Sequence, residues 1–281
     1  MAETAASDWD AAGREALLAA LAWQLEAGAD AAVAEAPVDR FALAAEEAAR
    51  APAPVAPRAA TPRPPAMSAP APRLAEGAAR DARAAAAAAG DLAALHDAIR
   101  AFEGCALKKG ARSTVIADGD PRARVMVIGE APGREEDREG LPFVGRSGQL
   151  LDRMLAAIGL SRRAEDPAHA AYITNAVYWR PLENRRPSSD EVALLTPFLE
   201  RHIELVRPEF ILLAGAAPAQ ALLETELGIS RLRGTWRRWR GVPVMATFDP
   251  AYLLRQPERK REVWRDLLAL AAALDGEPLP D

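Results

Sequence analysis

Four short stretches of this chain are apolar almost without a break: Arg124 to Ile128, Tyr172 to Val177, Phe210 to Ala214 and Val242 to Phe248. Runs of this length and composition predict strands buried on both faces. Between and after them, apolar positions recur every three or four residues. This period predicts helices over Ser147 to Ile158, Ser188 to Val206, Ala217 to Leu223 and Pro257 to Leu274. Ser188 and Glu191 have the spacing of a capping box at the start of the second of these. Strands that alternate with helices predict a parallel sheet covered on both faces. The expected fold is therefore α/β, a three-layer α/β/α sandwich around a central, mainly parallel four-stranded sheet. In such sheets a ligand sits at the carboxyl ends of the strands. The loops of interest follow Ile128, Val177, Ala214 and Phe248.

The N-terminal third has a different pattern. Residues 1–50 are rich in Ala, Leu and Glu, with helical character from Ala16 to Leu25 that ends near Gly28. Residues 51–75 are dense in Pro and Ala and predict an extended linker that buries no core. An Ala-rich run from Ala75 to Phe102 predicts helix, interrupted near Gly90. The expected domain order is thus 1–50, 51–75 and a catalytic domain over 76–281.

Charge changes this picture. The chain carries a formal −5, but residues 1–50 alone carry ten acids and three bases. That stretch is −7, so the remainder is +2. Arg231 to Arg265 holds ten bases against three acids, a surface suited to phosphate or simply a solvated face. No apolar run is long enough for a membrane span and no secretory signal is evident, and the single cysteine, Cys105, excludes an internal disulfide. A cytoplasmic monomer is expected.

The chemistry-bearing residues gather at the predicted strand ends. After the first strand come Gly129-Glu130-Ala131-Pro132-Gly133-Arg134-Glu135-Glu136-Asp137 and Gly140-Leu141-Pro142-Phe143-Val144-Gly145-Arg146-Ser147-Gly148. Glycines there allow close backbone approach to a ligand. The loop is neither a GxxxxGK[ST] nor a GxGxxG phosphate motif. After the second strand, Tyr172-Ile173-Thr174-Asn175 leads to Arg180-Pro181 and Asn184-Arg185. Leu232-Arg233-Gly234-Thr235-Trp236 precedes the fourth strand. Thr247-Phe248-Asp249-Pro250-Ala251-Tyr252-Leu253-Leu254-Arg255 closes it.

These four stretches, in this order, resemble the motifs of the iron–sulfur, family-four type of uracil-DNA glycosylases. The resemblance covers about Ile99 to Leu274. It implies a pocket that takes a uracil extruded from DNA. By resemblance Phe143 is the stacking platform, and Asn175 reads the base through an amide that both donates and accepts. Glu130 takes the position associated with the hydrolytic water. Glu136 takes the position beside C5 of the base, and Gly129, Ala131 and Pro132 line the pocket. The catalytic set is then Glu130, Asn175 and Asp249. Leu253, Leu254 and Arg255 form a loop placed to wedge into the base stack. Arg185, Arg233, Arg237, Arg238 and Arg259 are candidates for phosphate contact, with Lys260 and Arg261 weaker ones. Each of these cations, and Glu136, also reads as an ordinary solvated charge.

The chain departs from the family twice. The family holds its cluster with four cysteines. Here Cys105 fits one ligand position, and Phe102, Trp179 and Leu195 fall on the other three. One thiol cannot hold a cluster, so no cofactor and no metal are expected, and a hydrophobic plug is expected in its place. The family's last motif opens with a His, where this chain has Asp249. His96, His169 and His202 lie outside the motifs and read as surface or helix histidines. The expected activity is hydrolysis of the N-glycosidic bond of uracil in single- or double-stranded DNA. The alternatives are a weakened module that binds uracil-containing or abasic DNA, a glycosylase for another deaminated base such as hypoxanthine, and a small-nucleotide binder. A protein partner is expected for the N-terminal region.

Overall fold

The computed structural model describes residues 72–279. The helical stretch expected near 16–28 and nearly all of the expected linker lie outside the described residues. Two helices come first, α1 (Pro72–Ala88) and α2 (Leu92–Ala101), broken at Gly90 as the pattern predicts. Then follow β1 (Ala117–Gly119), β2 (Val125–Gly129), α3 (Arg134–Glu139), α4 (Arg146–Ala156) and β3 (Ala171–Asn175). The chain continues through α5 (Ser189–Val206), β4 (Phe210–Ala214), α6 (Ala216–Leu223), the single turn α7 (Ile229–Leu232) and β5 (Trp236–Trp239). It ends with β6 (Val242–Thr247), α8 (Pro250–Arg255) and α9 (Lys260–Leu274). Ser188 caps α5 in the expected way: its side chain accepts from Glu191 N at 3.2 Å while Glu191 accepts from Ser188 N at 2.7 Å.

One sheet holds all six strands in the order β1-β3-β2-β4-β6-β5. The central four, β3, β2, β4 and β6, are parallel, as expected. The expected count of four strands is corrected to six, because β1 and β5 add antiparallel edges. Neither edge carries a readable period. β1 is only Ala117-Asp118-Gly119, and β5 is Trp236-Arg237-Arg238-Trp239, whose central arginines face solvent. Charged side chains on an edge strand discourage pairing with another chain.

Alternation along the central strands builds the three layers. Val125 and Val127 of β2 point into a core shared with Leu151 and Leu155 of α4 and Leu267 and Leu270 of α9. Met126 and Ile128 point the other way, to Leu199 and Ile203 of α5 and Leu222 of α6. A third core lies outside α5, where α1 and α2 pack on it. Successive side chains of a strand alternate between faces, so a strand apolar at every position must be covered on both.

Candidate active site

The register of β2 on β3 places Gly129 opposite Asn175 at the carboxyl end of the sheet. The pairing runs on past the strands, since Ala176 N donates to Gly129 O at 2.8 Å and Val177 N to Glu130 O at 3.1 Å. This extension fixes the direction of the Asn175 side chain. A methyl group on Gly129 would run into Asn175 Oδ1 and stand 2.5 Å from Cε2 and Cζ of Phe143. The amide and the ring therefore converge over one bare stretch of backbone. Asn175 is 2% exposed, and its side chain makes no hydrogen bond to any described residue. Pro132 is buried beside this point, and Ala131 leans on the third core.

Phe143 is held there against its own preference. Its φ is +53°, a left-handed conformation that costs an aromatic residue about 1–2 kcal/mol. Three groups enforce it. The buried Arg162 guanidinium donates to the carbonyls of Pro142 (2.8 Å) and Phe143 (3.0 Å). It is itself held by Asp118 and Asp152. Gly148 of α4 lets the Phe143 carbonyl approach where any Cβ would collide with it. Glu136 is the third. Its buried carboxylate accepts from Gly133 N (3.0 Å), Val144 N (3.0 Å) and Gly145 N (2.9 Å). Glu136, expected beside the base, has this bracing role in addition. Three backbone donors consume its carboxylate, and it shapes the loop that carries Phe143.

Two carboxylates interact at this end of the sheet. Burial pushes the Glu130 carboxyl above the usual carboxylate range, the negative charge of Asp249 adds to the rise, and Arg186 opposes it. Burial raises the Asp249 carboxyl as well, against its bonds from the Ala251 and Tyr252 backbone and the charges of Arg255 and Arg186. Asp249 Oδ1 caps α8 by accepting from Ala251 N at 2.6 Å. Its Oδ2 lies over Gly215, at the end of β4. Arg186 thus acts on both acids and was missed by sequence reasoning, which chose its neighbour Arg185. The only signal for it was position, in the loop that leaves Asn175.

The comparisons with known proteins agree with this geometry. A family model described as the Uracil DNA glycosylase superfamily matches residues 116–268. The chain belongs to that superfamily. It is 36% identical over 192 residues to the Type-4 uracil-DNA glycosylase of Saccharolobus solfataricus, covering 65% of this chain and 86% of the relative. It is 37% identical over 185 residues to that of Pyrobaculum aerophilum, with 63% and 91% covered. With that of Archaeoglobus fulgidus it shares 40% over 170 residues, 58% and 82% of the two chains.

In this glycosylase-superfamily member the residues expected to face DNA divide between exposed ones and ones already engaged. Of the residues expected to face DNA, Leu254 and Arg255 are exposed beside Asp249. The others are buried, paired or placed away from Asp249. Leu253 is 1% exposed and belongs to the core, so it cannot wedge. Arg233 is paired with Asp266 and Glu262 and lies 5.5 Å over the Phe248 ring, bracing β6 against α9. Arg185 is bound through both guanidinium nitrogens to Glu191, at 2.8 and 2.6 Å. Arg259 is exposed but paired with Glu262. Arg237 and Arg238 lie opposite Val244 and Pro243 of β6, about 10 Å or more back from Thr247 toward the amino end of the sheet. Of the histidines, His202 on α5 is fully buried against Tyr172, His96 on α2 is half-buried, and His169 is exposed.

The residues at the expected cluster position do not fit an iron–sulfur group. Phe102, Cys105, Trp179 and Leu195 all lie in the third core, with the Phe102 ring edge-on to Phe198 at 5.2 Å. Trp179 is anchored by a bond from Nε1 to Thr114 Oγ1 at 3.1 Å. A cluster of the resembled type needs four thiolates, and no histidine stands in for one here; this set offers one sulfur among aromatic and aliphatic side chains. Burial raises the Cys105 thiol, which disfavours the thiolate. Among the described residues no group of three or more His, Cys, Asp or Glu could hold a metal ion, and no helix is long and apolar enough to cross a membrane.

Proposed function

We propose that this protein is a uracil-DNA glycosylase that hydrolyses the N-glycosidic bond of deoxyuridine in DNA and leaves an abasic site. The observation that carries the reading is the convergence of Asn175 and Phe143 over Gly129. The extruded uracil stacks on Phe143. Asn175 donates to O4 and accepts from N3–H, and cytosine presents the opposite pattern. Extrusion costs a few kcal/mol and stacking returns part of it. The C1′–N1 bond breaks with its electron pair on the uracil, and water adds to C1′ of the cationic sugar. Glu130, as carboxylate, takes the proton from that water. Burial makes the Asp249 carboxyl harder to ionise, and in its protonated form it donates toward O2 as charge builds there. Packing of Phe102, Trp179 and Leu195 does the structural work that the cluster does in the resembled family, and no step passes through a metal. The protein works as a cytoplasmic monomer, and its N-terminal region offers a partner protein an attachment.

One observation favours the weaker reading, a module that binds damaged DNA without turnover. Asp249 Oδ1 is already engaged by Ala251 N, a bond that stabilises the ionised form. Uracil release from a single strand and from a U:G duplex separates the two readings. Release by the wild type, lowered about a hundredfold or more in Asn175→Ala because a buried base edge loses its partners, supports the glycosylase. Tight binding without release selects the binding module. Unchanged release by Asn175→Ala overturns its role as base reader.

A further inference from the structure

An apolar trough of about 250 Å³ opens between α4 and α9, on the flank of the site. Its floor is Leu150, Met154, Val263 and Leu267, and one wall is Leu253 of α8. Leu253 is the neighbour of the exposed Leu254, so the trough begins where the proposed active-site loop ends. Trp264 stands at the rim and is 42% exposed, although it is the largest apolar side chain on α9. The rim is cationic. Arg153 and Lys260 line it, and Arg261 and Arg265 flank Trp264 on the same helix, all four exposed. None of the four has a carboxylate partner among the described residues. The nearest acid on the helix, Glu262, is taken by Arg259 and Arg233.

An aromatic face over an apolar floor, ringed by unpaired cations, suits a chain that alternates flat bases with phosphates. The trough has the volume of a base or two rather than of a packed helix, which disfavours a protein segment as its occupant. We propose that this trough is a second binding site for the DNA strand that flanks the lesion, with an unpaired base stacked on Trp264 and its phosphates on Lys260, Arg261 and Arg153. The site rests on the DNA reading given above and extends it. The protein would hold a single strand at two points: the lesion at Phe143 and a neighbouring nucleotide at Trp264.

The test compares uracil-containing single strands of about 5 and about 20 nucleotides, the shorter one too short to reach the trough. Trp264→Ala is expected to raise KM on the longer strand about tenfold, with kcat unchanged and the short strand unaffected. Trp264→Phe, which keeps an aromatic face, is expected to restore most of the loss. An unchanged KM on the longer strand overturns the proposal and leaves the trough to a protein partner. An equal loss on both strands also overturns it, because it assigns Trp264 to the fold. Wild-type release from the short strand reports separately on the glycosylase reading. If that release is absent, length-dependent binding measured by fluorescence anisotropy still decides the trough.

Discussion

The loop after β2 and the segment after β6 leave the same, carboxyl end of the sheet, and they are built on opposite plans. The first, from Glu130 to Gly145, is tied down along its length. Glu136 gathers three of its backbone donors, Arg162 grips two of its carbonyls, and Gly148 receives the Phe143 peptide. The second, from Asp249 to Arg259, is mostly the short helix α8, held by its own backbone bonds, one side-chain cap bond at its root and a core anchor at Leu253, and it presents Leu254 and Arg255 to solvent. Buried, hydrogen-bonded backbone holds a group to a fraction of an ångström, as a base pocket requires. A short exposed helix with few side-chain bonds to the rest of the molecule shifts at lower cost. The difference assigns recognition of the base to the first loop and engagement of the duplex to the second.

The braced loop gives the largest expected effect. Glu136→Ala strips three N–H groups, one buried and two part-buried, of their acceptor, which costs about 3 kcal/mol. It also frees Phe143 to leave its strained conformation. A displacement of about 1 Å at a reacting centre costs on the order of a hundredfold in rate, so uracil release by the folded fraction is expected to fall by about that much. Thermal melting and release, measured on the same preparation, check both. A protein that melts early yet releases uracil at the wild-type rate would break the link between bracing and the pocket.

Some of this was readable from the sequence, for physical reasons. The four parallel strands showed because a strand buried on two faces is apolar at every position. Ser188 and Glu191 showed because a cap is a local interaction. Gly129, Phe143 and Asn175 showed as motifs. What stayed hidden depends on partners remote in the chain. Arg233 reads as a DNA cation until Asp266, 33 residues on, takes its charge. Leu253 and Leu254 read alike, and only the register of α8 on the core separates them. Glu136 reads as a surface acid because its acceptor role needs a loop closed over it. Arg186 acts through space on two acids that lie 56 residues before it and 63 residues after it.

The free loop gives the next effect. Leu254→Ala removes the one large apolar side chain this segment exposes beside the site. A wedge offsets part of the few kcal/mol needed to unstack a base step. The expected outcome is about a tenfold loss of release from a U:G duplex and little change on a single strand, where no stack resists. Leu253→Ala sharpens the contrast. It opens a cavity in the core and lowers the melting temperature, with equal effects on both substrates. If Leu254→Ala costs the same on both substrates, the two loops do not divide the work in this way.

The smallest effect lies where the two loops meet. Glu130 roots one and Asp249 the other, and Arg186 acts on both. The two acids interact, so the limbs of the pH–rate profile belong to the pair. Glu130 must be ionised to take a proton from water, so the rate falls as pH drops through its raised value. Arg186 lowers that value, and Arg186→Gln therefore moves the acid limb to higher pH. Asp249 must be protonated to donate, so the rate also falls as pH rises through its own raised value. The same substitution moves that limb upward too. The whole bell is expected to slide toward alkaline pH, with kcat down about threefold on the old acid limb and up on the old alkaline one. Measuring kcat at saturating substrate separates this from any loss of phosphate contact. If only the acid limb moves, Asp249 does not titrate in the mechanism, and the second loop contributes its wedge but not its acid.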